Sequence, residues 1–265
     1  MESVKVGDVQ MCYRRMGAGP PLVMLMGLTA NMDWWDSELL EDLAGCFSLL
    51  LLDNRGAGRS STGTLPVSIK QFACDTAGLM KALGAPRAHV LGVSMGGMIA
   101  QELALGWPEM VERLVLCCTS CGGIHGTLPR FAAMKTMFSR SLDPVEQALA
   151  SVPLLFPQPW LGQHPEIYDD FARKVSQAPI SKKNSQRQSM AVVRHNTYRR
   201  LGRIGQRTLV LHGLQDVILP AENSLVLARR IPGARLHVFE AAGHGLPTQC
   251  AHEVAGTVAG FLASP

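Results

Sequence analysis

The chain has 265 residues, 47% of them apolar and 17% charged, which fits one α/β domain with a real core and excludes a disordered chain. Its net charge of +4 is uneven: Phe171 to Arg207 holds ten Lys or Arg and no acid, while the rest carries fifteen basic against twenty-one acidic residues. No recognition motif or aromatic platform accompanies that basic segment, so it reads as a solvated helical face and not as a nucleic-acid surface. No apolar run is long enough for a transmembrane segment.

In chain order, "DVQMCYRRMG" (Asp8 to Gly17) predicts a strand ending at a turn. "GPPLVMLMG" predicts a proline turn and a buried strand, "WWDSELLEDLAG" a helix, and "CFSLLLLD" a second buried strand. "SIKQFACDTAGLMKALG" predicts a helix with Ser68 as N-cap and Gly84 as stop. "AHVLGV" is a strand, "MGGMIAQELALGWP" a helix ended at Pro108, and "VERLVLCC" a strand again. From about Gly122 to Leu201 the rhythm breaks. Helical pieces such as "RFAAMKTMFSR" and "PEIYDDFARKVSQ" flank the proline-rich "SVPLLFPQPWLGQHP", which predicts no long regular element. Strand and helix then resume with "RTLVLHG", "PAENSLVLARRIPG", "ARLHVFEAAG" and a last helix from about Thr248. The alternation predicts a mostly parallel sheet covered on both faces. The division is core residues 1–121, a helical cap at 122–201, and core residues 202–265. The N-terminal "MESVKVGDVQ" has no basic and apolar leader pattern, and seven cysteines show no disulfide framework. Free thiols in the cytoplasm are expected.

Gly92-Val93-Ser94-Met95-Gly96 carries the chemistry. A serine on a sharp strand-to-helix turn needs tiny neighbours, which Gly92 and Gly96 supply. A hydroxyl needs a base, and the base needs an orienting acid. After Ser94, His237 and His252 sit inside a strand and a helix, and His125, His164 and His195 fall in the insertion. His212 packs at a strand end. His244 stands in a loop between the last strand and the last helix, where a reaching side chain is expected. Asp216 lies just past the preceding strand and completes the order Ser, Asp, His. The oxyanion donors are expected to be the backbone N–H groups of Met95 and, in "MGLTA", of Leu28.

"MGLTA", "DNRGAGRS", "GVSMGG" and "GLQD…AGHG", in this order, resemble the α/β-hydrolase superfamily over essentially the whole chain. The resemblance implies an eight-stranded, mostly parallel sheet with a helical cap inserted after the sixth strand. It is nearest to small capped serine esterases and lactonases of the 3-oxoadipate enol-lactonase and aclacinomycin methylesterase types. It implies that Asp53, Arg55, Gly56, Gly58 and Ser60 form a structural loop and not a phosphate cradle. Many relatives have His before the oxyanion glycine, where this chain has Met26.

Trp34, Trp35, Met134, Phe138, Phe156 and Trp160 are candidates for the substrate pocket. Cys117, Cys118 and Cys121 cluster with His125, but adjacent strand cysteines point to opposite faces, so no metal site is expected. The function expected is hydrolysis of a carboxylic ester of a small molecule through this triad and an acyl-enzyme, with no metal or organic cofactor. Lactone hydrolysis, C–C bond hydrolysis and perhydrolysis use the same triad. A ligand-binding protein that keeps the triad without turnover is the reading from another class.

Overall fold

A computed structural model describes residues 1–127, 133, 136 and 143–264. Eight strands form one sheet: β1 (Glu2–Val6), β2 (Val9–Met16), β3 (Pro21–Leu25), β4 (Ser48–Leu52), β5 (Ala88–Val93), β6 (Val111–Cys117), β7 (Arg207–Gly213) and β8 (Arg235–Phe239). Their spatial order is β1-β2-β4-β3-β5-β6-β7-β8. β1–β2 and β2–β4 are antiparallel, and every later pairing is parallel. Of the eight strands expected, β1 is the one to which no segment is assigned from sequence. It is a short edge strand with mostly exposed side chains, and its alternation is limited to Val4-Lys5-Val6. It turns into β2 through Gly7, whose φ is +56°.

The inner strands are continuous apolar runs because both faces are covered. Val23, Leu25, Leu50, Val90, Leu114 and Val210 pack on one side with α2 (Ile69–Ala82) and α3 (Met95–Gly106). Their neighbours in sequence, Leu22, Met24, Leu49, Leu91, Val115 and Leu209, pack on the other with α1 (Ser37–Ala44) and the C-terminal helix. Ser68 caps α2 by accepting from the Gln71 N–H at 3.0 Å, and Gly84 follows with φ +68°.

Among the described residues, no strand occurs between β6 and β7. That segment holds α4 (Pro144–Leu155), α5 (Gln158–Leu161), α6 (Ile167–Gln177) and α7 (Lys182–Val193). As expected, the proline-rich stretch holds no long regular element, only the end of α4 and the four-residue α5. Pro153 lies inside the last turn of α4, while Pro157 is the N-cap of α5 and Pro159 lies in its first turn. Proline is tolerated at helix starts, where the missing N–H would have no partner. "RFAAMKTMFSR" falls largely outside the described residues. α8 (Glu222–Arg230) follows β7, and the last helix is broken into α9 (Leu246–Gln249) and α10 (Ala251–Ala263).

The loop after β4 is a buried polar knot. Asp53 accepts from the Met32 and Arg59 N–H groups, both at 2.8 Å, and a side chain at Gly58 would strike its carboxylate. Arg55 is fully buried and donates to Asp75 at 2.6 and 2.7 Å and to Asp8 at 2.9 Å. Those bonds hold Asp8 well below the usual carboxylate range. This loop ties β1, β4 and α2 together. No described helix is long and apolar enough to cross a membrane.

Candidate active site

β3 and β5 are adjacent parallel strands, and the chain leaves them toward the same end of the sheet. Crevices at such a point collect functional loops. Ser94 follows β5 with φ +55° and ψ −119°, a conformation that costs energy in any residue with a Cβ. The local sequence makes it possible. A Cβ on Gly92 would collide with the Gly96 carbonyl, and one on Gly96 would collide with the Leu25 carbonyl. The turn is fixed from both sides. The Ser94 N–H donates to the Cys117 carbonyl at 2.9 Å, and Thr119 Oγ1 donates to the Ser94 carbonyl at 2.6 Å. Ser94 itself stays half-buried.

Asp216 and His244 come together from the loops after β7 and β8. His244 Nδ1 lies 2.6 Å from Asp216 Oδ2. The other oxygen, Oδ1, accepts from the Ile218 and Leu219 N–H groups, both at 2.8 Å. The two loops are also joined through the backbone, with the Gln215 N–H donating to the Ala242 carbonyl at 2.8 Å. Asp216 and His244 are 6% and 7% exposed, so their bond is largely shielded from solvent. With Nδ1 facing the carboxylate, Nε2 is the nitrogen left for chemistry. His244 and Ser94 line one cavity.

The Leu28 and Met95 N–H groups have no acceptor among the described residues. Met95 opens α3, where unpaired N–H groups and the helix dipole favour negative charge. Gly27 packs over the serine: a Cβ there would sit 3.3 Å from Ser94 Cβ. Thr29, next to Leu28, has φ +64°.

The cavity holds about 650 Å³. Trp34, Trp35 and Phe156 line it; Trp35 is also a core residue at 3% exposure. Trp160 is a correction. It is not among the lining residues and instead stacks on Phe156 and His164, with centroids 4.7 and 4.2 Å away. Met134 and Phe138 lie outside the described residues. The structure adds Phe171 and Val175 of α6 and Ser185 and Ser189 of α7 to the wall. The stripe Ile167, Phe171, Val175 at four-residue spacing was a readable sign for α6.

Cys117 and Cys118 do not point apart. Cys118 leaves the strand with φ +44°, and the two sulfurs are 3.9 Å apart. His125 stacks on Tyr198 at 3.6 Å. Cys118, His212 and Asp216 do place one possible ligand atom each within 4.8 Å of one another. Both Asp216 oxygens already accept hydrogen bonds, so a metal there would compete with His244. His212 is buried on β7 with Nδ1 3.0 Å from Ser224 Oγ, and burial lowers its pKa.

A family model described as alpha/beta hydrolase fold matches residues 20–247. The chain is 28% identical to RutD of Azorhizobium caulinodans, named as a carbamate hydrolase, over 90% of this chain and 89% of that one. It is 30% identical to a poly(3-hydroxyalkanoate) depolymerase of Ectopseudomonas oleovorans, over 91% and 84%. It is 26% identical to 3-oxoadipate enol-lactonase 2 of Acinetobacter baylyi, over 91% and 89%. Among solved structures, the enol-lactonase of Burkholderia xenovorans superposes with a TM-score of 0.87 at 25% identity, covering 99% of this chain and all of that one.

Proposed function

The chain belongs to the α/β-hydrolase fold family, and on that premise we propose that it is a serine hydrolase of small carboxylic esters, with Ser94, His244 and Asp216 as its triad. The observation that carries this reading is the short Asp216–His244 bond, at the edge of a cavity that also exposes a strained serine. We read 122–201 as a cap: its described helices α4, α6 and α7 line this cavity.

His244 Nε2 takes the proton of Ser94 Oγ as that oxygen attacks the ester carbonyl carbon. The carbonyl oxygen becomes anionic and is held by the Leu28 and Met95 N–H groups. Collapse breaks the C–O bond, and the alkoxide leaves with the proton from His244. Water then loses a proton to His244, attacks the acyl-enzyme carbonyl and releases the acid, and Ser94 recovers its proton. Asp216 holds the imidazole tautomer and stabilises the imidazolium. This chemistry calls on no metal or organic cofactor. A lactone is a cyclic ester, and the relatives named as enol-lactonases make lactones a natural part of the substrate range. Seven cysteines free of disulfides fit a reducing compartment, the cytoplasm.

Turnover of p-nitrophenyl esters by Ser94→Ala tests the reading. The expected loss is at least about a thousandfold in kcat, with loss of labelling by a fluorophosphonate. A variant that hydrolyses at the wild-type rate would remove Ser94 from the mechanism. A panel of esters, lactones and diketones then separates ester hydrolysis from the other reactions of this triad.

A further inference from the structure

The oxyanion loop is held by a residue of the cap. Gln188, in the middle of α7, is 1% exposed and accepts the Thr29 N–H on its Oε1 at 2.8 Å, a contact across 159 residues of sequence. The Leu28–Thr29 peptide is fixed at its other end too, because Thr29 Oγ1 donates to the Leu28 carbonyl at 2.6 Å. Thr29 needs such restraint. It is β-branched and sits at φ +64°, a region where a branched side chain is an outlier.

Leu28 thus lies between two anchored peptide planes. On one side Gly27 packs against Ser94; on the other the Thr29 plane is pinned by Gln188. The direction of the Leu28 N–H is what remains between them. Gln188 Nε2 has no hydrogen-bond partner among the described residues. A buried carboxamide with an unmade donor is a costly way to fill space, so the side chain is there for its oxygen.

We propose that Gln188 is a positioning residue for the oxyanion hole, by which the cap orients the Leu28 N–H through Thr29. The inference rests on the serine-hydrolase reading above. Asn184, one turn earlier on the same helix, anchors α7 by donating to the Gly56 carbonyl at 3.0 Å and Thr62 Oγ1 at 2.9 Å, so Gln188 is presented from a fixed helix. Ser185 and Ser189, its neighbours around the helix, face the cavity.

The test compares three variants with the wild type on one p-nitrophenyl ester and one trifluoromethyl ketone, which adds Ser94 Oγ and places an oxyanion in the hole. Gln188→Met keeps the volume and removes the acceptor. Losing a whole oxyanion donor costs about a hundredfold to a thousandfold, so a displaced one is expected to lower kcat by roughly ten- to a hundredfold. KM should stay within about threefold, and ketone affinity should fall by the same factor as kcat/KM. Gln188→Glu keeps an acceptor in either protonation state and is expected to recover most of the rate. Gln188→Asn, one methylene shorter, draws the acceptor back and is read like the methionine variant should that one not fold. A folded Gln188→Met or Gln188→Asn with wild-type kcat overturns the proposal. So does a Gln188→Glu as slow as Gln188→Met, which would mark a packing role. Fluorophosphonate labelling of Ser94 in each variant separates this failure from that of the serine reading, which falls only if Ser94→Ala still turns over.

Discussion

Ser94 occupies a φ of +55°, and a residue with a Cβ is held there at a cost of roughly 1–3 kcal/mol. Glycine adopts the same turn freely, though it gives up unfolded-state entropy of about 0.5–1 kcal/mol. Ser94→Gly is therefore expected to abolish turnover while raising stability by about 1 kcal/mol, read as a shift in the urea midpoint. His195 makes a second single-residue prediction. It is 4% exposed, and burial pushes its pKa down to about 4 against a partial offset from Glu102, whose carboxylate is 3.9 Å away. The unfolded chain binds this proton near pH 6.5, so the folded state loses stability as pH falls from there toward 4. Between pH 7 and pH 5 this one imidazole should withdraw about 2 kcal/mol. In His195→Gln that part of the acid slope should vanish from denaturation curves; an unchanged slope would place the proton elsewhere. Legibility differs sharply among the site residues. Asp216 and His244 stood out because each is alone of its kind in a loop at a strand end. Thr29 and Gln188 gave no such sign, because a backbone N–H has no letter in the sequence and its acceptor lies 159 positions away.

Helix α7 shows why some elements escape a pattern search. "KKNSQRQSMAVV" has almost no apolar periodicity, since the face toward the core uses Asn184 and Gln188 for hydrogen bonds and the face toward the cavity uses Ser185 and Ser189. A helix wedged between polar loops and a cavity has no reason to carry an apolar stripe. α2 buries an apolar face in the core, with Lys70, Cys74 and Lys81 outside, and was readable down to its Ser68 cap. The proline-rich stretch was legible as irregular, but not the helix end inside it: Pro153 sits in the last turn of α4, and a single letter does not tell an end from a break. Between β4 and α2 the loop built on Arg55 resembled a structural motif and is one. With its guanidinium fully buried against Asp75 and Asp8, Arg55→Leu leaves carboxylates without their cation. The expected loss is about 3–5 kcal/mol of unfolding free energy, measured by urea denaturation. A loss below about 1 kcal/mol would mean that water replaces the guanidinium.

Across the whole molecule, the helical segment between β6 and β7 is knit to the rest of the fold by polar contacts at several separate places. Gln188 meets Thr29, Asn184 meets Gly56 and Thr62, and Asn31 Nδ2 donates to the Ala178 carbonyl at 3.3 Å. The Gly245 N–H, beside His244, donates to the Leu155 carbonyl at the end of α4 at 2.8 Å. Thr197 bonds back to Cys121 and to Gln101 of α3. Such stitching predicts one cooperative unfolding transition by calorimetry, with calorimetric and van't Hoff enthalpies equal. Two resolved transitions would show that helical segment melting alone. The basic segment belongs to this scale as well. Lys174 pairs with Asp170 at 2.7 Å and Arg200 with Glu102 at 2.5 Å, so part of its charge is spent within the fold.

The contact between Gly245 and Leu155 has a consequence for anyone reshaping this protein toward a new substrate. The cavity wall and the support of the His244 loop are the same piece of chain, because α4 lines the pocket with Leu155 and holds that loop with the same residue's carbonyl. Libraries that vary the wall will therefore vary turnover along with selectivity, and the two traits will not assort independently. Positions that face the cavity and, among the described residues, make no hydrogen bond to the His244 loop, such as Ser185 and Ser189, offer a route by which preference can drift while rate stands still.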